Sequence, residues 1–284
     1  MTETDKIDYF TEARSEEVVN ARMGKDADPR LAEIMASLVH HLHAFAKDVE
    51  LTQAEWATAI DFLTRTGQMC DDNRQEFILL SDVLGFSMLV DAINHRRPSG
   101  ATENTVLGPF HVANAPEYEM GTNICLDGKG ETCLFEGRVV DLDGKPIEGA
   151  RIDVWSDNAE GFYDVQQPDS QPRWNNRGIF VTGPDGTYAF RGIRPVSYPI
   201  PDDGPVGQML KALGRHPNRP AHMHFMVSAP GHATIVTHTF VEGDRWLTSD
   251  AVFGVKASLI ASLEKGKAGD TDWRSSFDFT MVRE

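Results

Sequence analysis

The chain has 284 residues, 25% of them charged and 40% hydrophobic, an ordinary soluble composition with room for one large or two modest domains. A formal net charge of −16 argues against nucleic acid or an anionic membrane as the main partner. Cys70, Cys125 and Cys133 are odd in number and lack CxxC spacing, which argues against a disulfide framework or a thiolate metal site and points to a reducing compartment.

The first ten residues, MTETDKIDYF, have neither a basic n-region nor an apolar h-region, and no stretch approaches the roughly 18 apolar residues of a membrane span, so a cytoplasmic protein is expected. Asp28-Pro29 then reads as a helix N-cap followed by proline at the first helical position. Leu31, Ile34, Met35, Leu38, Val39, Leu42 and Phe45 recur behind it at helical spacing, while His40, His41 and His43 read as its solvent face. Thr52 and Glu55 form a capping box for a second helix carrying Trp56, Ile60 and Leu63 on one face. A third helix is expected from Asn73 to about His95. Its apolar residues, among them Phe77, Ile78, Leu80, Val83, Phe86, Leu89 and Ile93, go nearly all round, which predicts burial on more than one side. The methionines and aromatics of these helices read as core.

After Arg96-Arg97-Pro98-Ser99-Gly100 the texture changes. Short β-rich runs at 133–140, 150–155, 178–181 and 187–191 alternate with turns such as Asp143-Gly144 and Asp185-Gly186, and further strands are expected at 223–228, 234–240 and 278–282. This rhythm predicts an antiparallel β-sandwich in residues 106–284, preceded by a helical region in residues 1–105. Two long polar connections, 158–177 and 195–218, have little periodicity, and long loops in a compact domain are often functional.

The second of those loops leads into Arg219-Pro-Ala-His222-Met-His224-Phe225. On a strand, His222 and His224 share a face while Met223 and Phe225 take the other, so two imidazoles are placed to grip one metal ion. Taken alone, H-x-H is more often the pattern of two ordinary histidines. The chain has five tyrosines; Tyr163 follows a strand end in DVWSDNAEGFYD, and Tyr198 heads VSYPIPDDGPVG.

Together with Leu107-Gly-Pro-Phe110 and LGRHPNRPAHMHF, these motifs resemble the intradiol ring-cleaving dioxygenases over nearly the whole chain, with the hydroxyquinol-cleaving branch ahead of the catechol-cleaving one. The resemblance implies iron(III) held by Tyr163, Tyr198, His222 and His224. Those residue types suit the ion: iron(III) is hard and favours anionic oxygen, and a bound cation takes a phenol as phenolate. A 2-His-1-carboxylate iron(II) site wants an acid near the histidines, yet none lies between Asp203 and Glu242. Zinc would ask for cysteine, or for histidine with a carboxylate.

The implied reaction opens the ring of a catechol-type diol between its hydroxyl-bearing carbons with O2, giving a cis,cis-muconate-type diacid. Tyr198 is the ligand expected to leave and act as base, and Arg219 the group expected to stabilise charge developing on the ring, although a surface arginine is its plainer alternative. Leu107, Gly108, Pro109 and Phe110, with Ile200 and Pro201, are expected to wall the ring. Val252 matches a pocket position more weakly and serves equally as a core valine. On the expected third helix, Leu79 and Asp82 are expected at the pocket, with Asp82 accepting the third hydroxyl of 1,2,4-trihydroxybenzene; a solvent-facing acid is the alternative. His238 stands where many relatives carry glutamine and is not expected to be a ligand. The resemblance also implies a homodimer through the N-terminal helices, around an apolar tunnel able to hold lipid.

Two rivals remain open at this point. Residues 135–155 also resemble the hairpin of prealbumin-like binding modules, which have no reason to carry four metal donors and Arg219. An extradiol enzyme would be colourless iron(II) without paired tyrosines.

Overall fold

The computed structural model describes residues 9–284 apart from Asn73 and Ala268, so the start expected for the third helix lies outside the described residues. Two compact units result, one ending at Arg65 and the other running from Thr66 to Glu284. In the first, α1 (Ser15–Asn20) packs on α2 (Pro29–Asp48), and α3 begins at Gln53 and extends to Gln68. Both expected caps form. Asp28 accepts from the Leu31 amide at 2.7 Å, and Glu55 and Thr52 exchange their side-chain and backbone hydrogen bonds.

Met35 and Phe45 of α2 and Trp56 of α3 are exposed, not core as expected. No residue of α2 is buried, and Leu31, Ile34, Met35, Leu38, Leu42 and Phe45 are all exposed. The same holds for Trp56, Ile60 and Leu63 on α3. Helical periodicity shows that a face is apolar; it does not say whether the cover comes from the same chain.

The second unit opens with α4 (Glu76–Val83) and α5 (Phe86–Asn94), two helices where one was expected. Gly85 ends α4 in the left-handed region at φ 72°, a conformation costly to any residue with a Cβ. Burial is also narrower than the apolar run suggested. Glu76, Val83 and Met88 are covered, whereas Phe77, Ile78, Phe86, Leu89 and Ile93 are exposed. The Glu76 carboxylate accepts from the Val206 amide at 3.2 Å, in the first turn of α6 (Pro205–Ala212), which ties α4 to α6.

Strands follow at β1 (Thr132–Asp141), β2 (Arg151–Trp155), β3 (Arg177–Val181), β4 (Thr187–Ile193), β5 (Tyr198–Pro199), β6 (Asn218–Arg219), β7 (His222–Ala229), β8 (His232–Val241), β9 (Ile260–Lys265), β10 (Trp273–Ser276) and β11 (Phe279–Met281). The order is β11-β1-β10-β9-β8-β7-β2-β3, with β4 on β1, and β5 and β6 pair separately. Most pairs are antiparallel; β1 with β10, β1 with β11, and β8 with β9 are parallel. Phe135, Ile152, Phe180, Phe190, Phe225 and Phe279 meet in one core, so the sheet folds face to face on itself. Among the described residues no helix is long and apolar enough to cross a membrane.

Candidate metal centre

The alternation expected of β7 is what the structure has. Met223 and Phe225 enter the sandwich core, while His222 and His224 share the opposite face. Tyr198 is paired with Arg219 through the short β5–β6 ladder, so one backbone interaction places a phenol beside a guanidinium. Tyr163 is held by its loop. Its amide donates to Gln166 Oε1 at 2.9 Å, and the next residue, Asp164, receives Arg177 Nε at 2.7 Å and the Trp174 amide at 3.0 Å.

Four buried donors converge. The Tyr163 hydroxyl lies 2.9 Å from His224 Nε2 and 3.3 Å from the Tyr198 hydroxyl, which lies 3.4 Å from His222 Nε2. His222 Nδ1 is 2.7 Å from the Pro220 carbonyl, which can only accept, so Nδ1 carries the hydrogen and the lone pair sits on Nε2, facing the phenols. This donor set fits a cation. Two phenol oxygens and two imidazole nitrogens, all buried, face one another at hydrogen-bond distance, and a metal ion that takes both phenols as phenolates suits all four.

Electrostatics agree with that reading. Burial raises the Tyr163 phenol well above the usual range, so its ionisation requires a nearby cation. Burial also raises Tyr198, opposed by the Arg219 charge. It lowers His222 to about 3, helped by Arg219, and drops His224 and His238 well below the usual histidine range, leaving neutral imidazoles with lone pairs to offer. Trp155 stacks on His224 with centroids 4.7 Å apart and planes 17° from parallel.

Arg219 is buried, with Nη1 3.4 Å from His222 Nε2. Burial alone would lower its pKa, but Asp250 outweighs that and fixes the charge: Nε and Nη2 reach the two Asp250 carboxylate oxygens at 3.1 and 3.3 Å. Asp250 also accepts the Val252 and Gly254 amides, at 3.3 and 2.9 Å. Asp250 was not singled out in the sequence. The pairing spans 31 positions, and only the acid in Ser-Asp250-Ala-Val-Phe hinted at it.

The other expected residues are placed unevenly. Phe110 stacks on Tyr163 at 4.6 Å. Gly108 comes so close to His224 that an added Cβ would stand 3.0 Å from its Cε1. Leu107 and Pro109 are exposed beside them. Ile200 and Val252 are buried, and Pro201 is exposed. Leu79 is half-buried one turn before Asp82 on α4. Asp82 is half-buried; burial raises its pKa, opposed by a hydrogen bond from Ser87 and by the Arg219 charge, while Asp250 adds to the rise. Arg215 holds the end of α4 in place by donating to the Val83 carbonyl at 2.6 Å and to the Ala251 carbonyl at 3.0 Å. His238, not expected as a ligand, has a ring nitrogen within 4.8 Å of those of His222 and His224.

Comparison with known proteins follows the same outline. A family model described as "Dioxygenase" matches residues 106–282, and one described as "Catechol dioxygenase N terminus" matches residues 28–102. The chain is 58% identical to the hydroxyquinol 1,2-dioxygenase of Rhizobium sp. (strain MTP-10005), over 100% of this chain and 99% of that protein. It is 53% identical to the 6-chlorohydroxyquinol 1,2-dioxygenase of Cupriavidus pinatubonensis, over 93% of this chain and 94% of the relative. The solved hydroxyquinol 1,2-dioxygenase from Pseudomonas putida DLL-E4 superposes with a TM-score of 0.93 at 48% identity, covering 96% of this chain and 99% of that one.

Proposed function

This chain belongs to the intradiol ring-cleavage dioxygenases, and from that premise we propose that it cleaves hydroxyquinol with O2 to 3-hydroxy-cis,cis-muconate, the enol form of maleylacetate. The observation that carries the reading is the convergence of two phenols and two imidazoles beside a buried arginine. Iron(III) is the ion we assign, held by Tyr163, Tyr198, His222 and His224. When bound, it supplies the Lewis acidity and redox activity that make an aromatic diol reactive toward O2.

The protein's own groups do the rest. Tyr198, as a phenolate, takes a proton from a diol hydroxyl. Tyr163, His222 and His224 keep their places throughout. Arg219, immobilised by Asp250, faces negative charge developing on the ring and needs no reorganisation to do so. Phe110, Gly108, Ile200 and Val252 confine the ring and keep water out, with Leu107, Pro109, Pro201 and Leu79 at the margins of the pocket. Asp82, half-buried and hydrogen-bonded by Ser87, accepts the third hydroxyl, so a diol lacking it forfeits that bond.

The division of labour we infer runs near residue 105, and the break between the two family matches, 102 to 106, supports it. Residues 1–105 form a dimerisation region, whose exposed apolar face on α2 and α3 is covered by a second copy and, at its centre, accommodates a lipid tail. The chain works in the cytoplasm.

Oxygen uptake with hydroxyquinol and with catechol tests the substrate. The native protein is expected to favour hydroxyquinol by roughly tenfold or more, and Asp82→Ala to lose most of that preference. Equal or better turnover of catechol by the native protein would refute the assignment. Equal losses on both diols in the variant would make Asp82 structural.

A further inference from the structure

Helix α4, which carries Leu79 and Asp82, is pinned at both ends to the segment that follows Tyr198. Its first residue, Glu76, accepts the Val206 amide in α6, and its last, Val83, has its carbonyl bonded by Arg215 just past the end of α6. That carbonyl is among the last four of α4, which no amide of the helix can reach, and a cation suits the negative end of the helix dipole. Arg215 is itself fixed. Gly214 turns the chain in the left-handed region at φ 66°, and the Arg215 amide donates to the Leu210 carbonyl at 2.8 Å. From there Nη1 donates to the Val83 carbonyl at 2.6 Å and Nη2 to the Ala251 carbonyl at 3.0 Å. Val83 directly follows Asp82 in the chain, and Ala251 directly follows Asp250. Phe253 closes the junction at a third corner. Its ring centre lies 5.0 Å from the Arg215 guanidinium carbon, and Gly85 packs so closely on the ring that an added Cβ would stand 3.3 Å from it. Phe253 takes φ 59°, a left-handed conformation that persists in a residue with a Cβ only where its surroundings hold it.

We propose that Arg215 is a positioning residue for substrate choice: by bridging Val83 and Ala251 it sets the distance between Asp82, which accepts the third hydroxyl, and the Arg219–Asp250 pair, which faces the ring. A guanidinium suits this task because it is planar and rigid. Two donors on one carbon hold two acceptors at a fixed separation, which a single ammonium on a flexible stem cannot do. Asp82 lies close enough to the Arg219–Asp250 pair for the charges of both members to bear on it. A ring seated against Arg219 presents its third hydroxyl at one distance only. A shift of the end of α4 by about an ångström therefore loses the bond to Asp82 while Arg219 and the four metal donors keep their places. Replacing Arg215 thus costs hydroxyquinol more than it costs catechol, which does not use Asp82.

The inference rests on the substrate reading above, so the native protein is measured first. Equal turnover of the two diols there would sink that reading and this inference together; with the preference present, the variants alone decide. Arg215→Lys keeps the charge and loses the fork. Its preference for hydroxyquinol over catechol, as the ratio of kcat/KM values, is expected to fall about tenfold, with catechol itself within roughly threefold of native. A loosened fold would lower both diols together and leave the ratio unchanged. Phe253→Leu leaves both hydrogen bonds and removes the ring packed against the guanidinium. It is expected to lower the preference about two- to fivefold, the worth of an exposed cation–π contact. In an Asp82→Ala background, Arg215→Lys should lower the preference no further, because it acts through that acid. A native ratio in Arg215→Lys overturns the proposal, as does an undiminished effect in the Asp82→Ala background. If Arg215→Lys does not fold, a native ratio in Phe253→Leu overturns it instead.

Discussion

The helices before the sandwich and the sandwich itself depart from ordinary burial in opposite directions. Helix α2 turns Leu31, Ile34, Leu38, Leu42 and Phe45 outward and buries nothing, while the β unit takes Arg219, Asp250, His222, His224 and His238 into its interior. Neither arrangement is favoured for an isolated chain. Exposed apolar stripes forfeit transfer energy, and buried charges cost several kcal/mol unless paired. Each region therefore points to something outside its own fold: a second surface for the helices, and an ion with its substrate for the sandwich.

The sharpest way to break that contrast is to remove a donor from the sandwich interior. Tyr163→Phe and His224→Ala are each expected to strip the metal and the colour, lowering activity by more than the roughly 100-fold that marks the upper end for outer-shell partners. Tyr198→Phe is expected to retain more metal than Tyr163→Phe, because Tyr198 is the ligand we propose to leave. Metal analysis on the purified variants checks the order. Full iron content in Tyr163→Phe would remove that residue from the set.

Next in size is the pairing that makes a buried cation tolerable. Asp250→Asn keeps the shape and leaves Arg219 uncompensated, a change of about 3–5 kcal/mol when one partner of a buried ion pair is lost. Denaturant titration should register the lower stability, and kcat should fall while KM for the diol changes less, since Arg219 acts on charge developing in the reaction. An unchanged kcat would mean that Arg219 is held in place without Asp250.

These two tests also mark how far the sequence was legible. The cap at Asp28-Pro29, the Thr52–Glu55 box and the alternation of His222 and His224 against Met223 and Phe225 are local patterns, and each formed as read. Three features were not local. The break at Gly85 is one left-handed residue inside an apolar run that keeps helical spacing on both sides. The Arg219–Asp250 pair and the Thr105–His238 contact span 31 and 133 positions, and no periodicity links such partners. Exposure of the α2 stripe was illegible for a different reason: an apolar face reads the same whether its cover is in the chain or in a second copy.

That last point is open to direct test on the helical side. Leu38→Glu combined with Phe45→Glu places two charges on the exposed α2 stripe. If a second copy covers it, sedimentation should show a dimer for the native protein and a monomer for the variant, because burying two such side chains is worth roughly 3–6 kcal/mol. The visible band of the metal centre should be unchanged. A native monomer at micromolar concentration, or a variant that still dimerises, would place the interface elsewhere.

The smallest expected effect belongs to one buried imidazole and needs the metal-free protein. His238 is held neutral by burial, with the Arg219 charge adding to the effect, so its folded pKa lies well below the usual value near 6.5. Between those two values the unfolded chain binds a proton that the folded chain does not. Stability therefore falls as pH drops below about 6.5, by about 1.4 kcal/mol per pH unit for this one group, and is flat in this respect above it. His222 and His224 act with the same sign, while Asp82 and Asp157, both raised by burial, act against it, so the slope of the native protein is a sum. Comparison isolates the single term. Denaturant unfolding of metal-free native protein and of His238→Gln at pH 6.5 and pH 5.5 should show the variant losing about 1 kcal/mol less over that interval. Identical losses would mean that His238 takes up its proton in the folded state as readily as in the unfolded one.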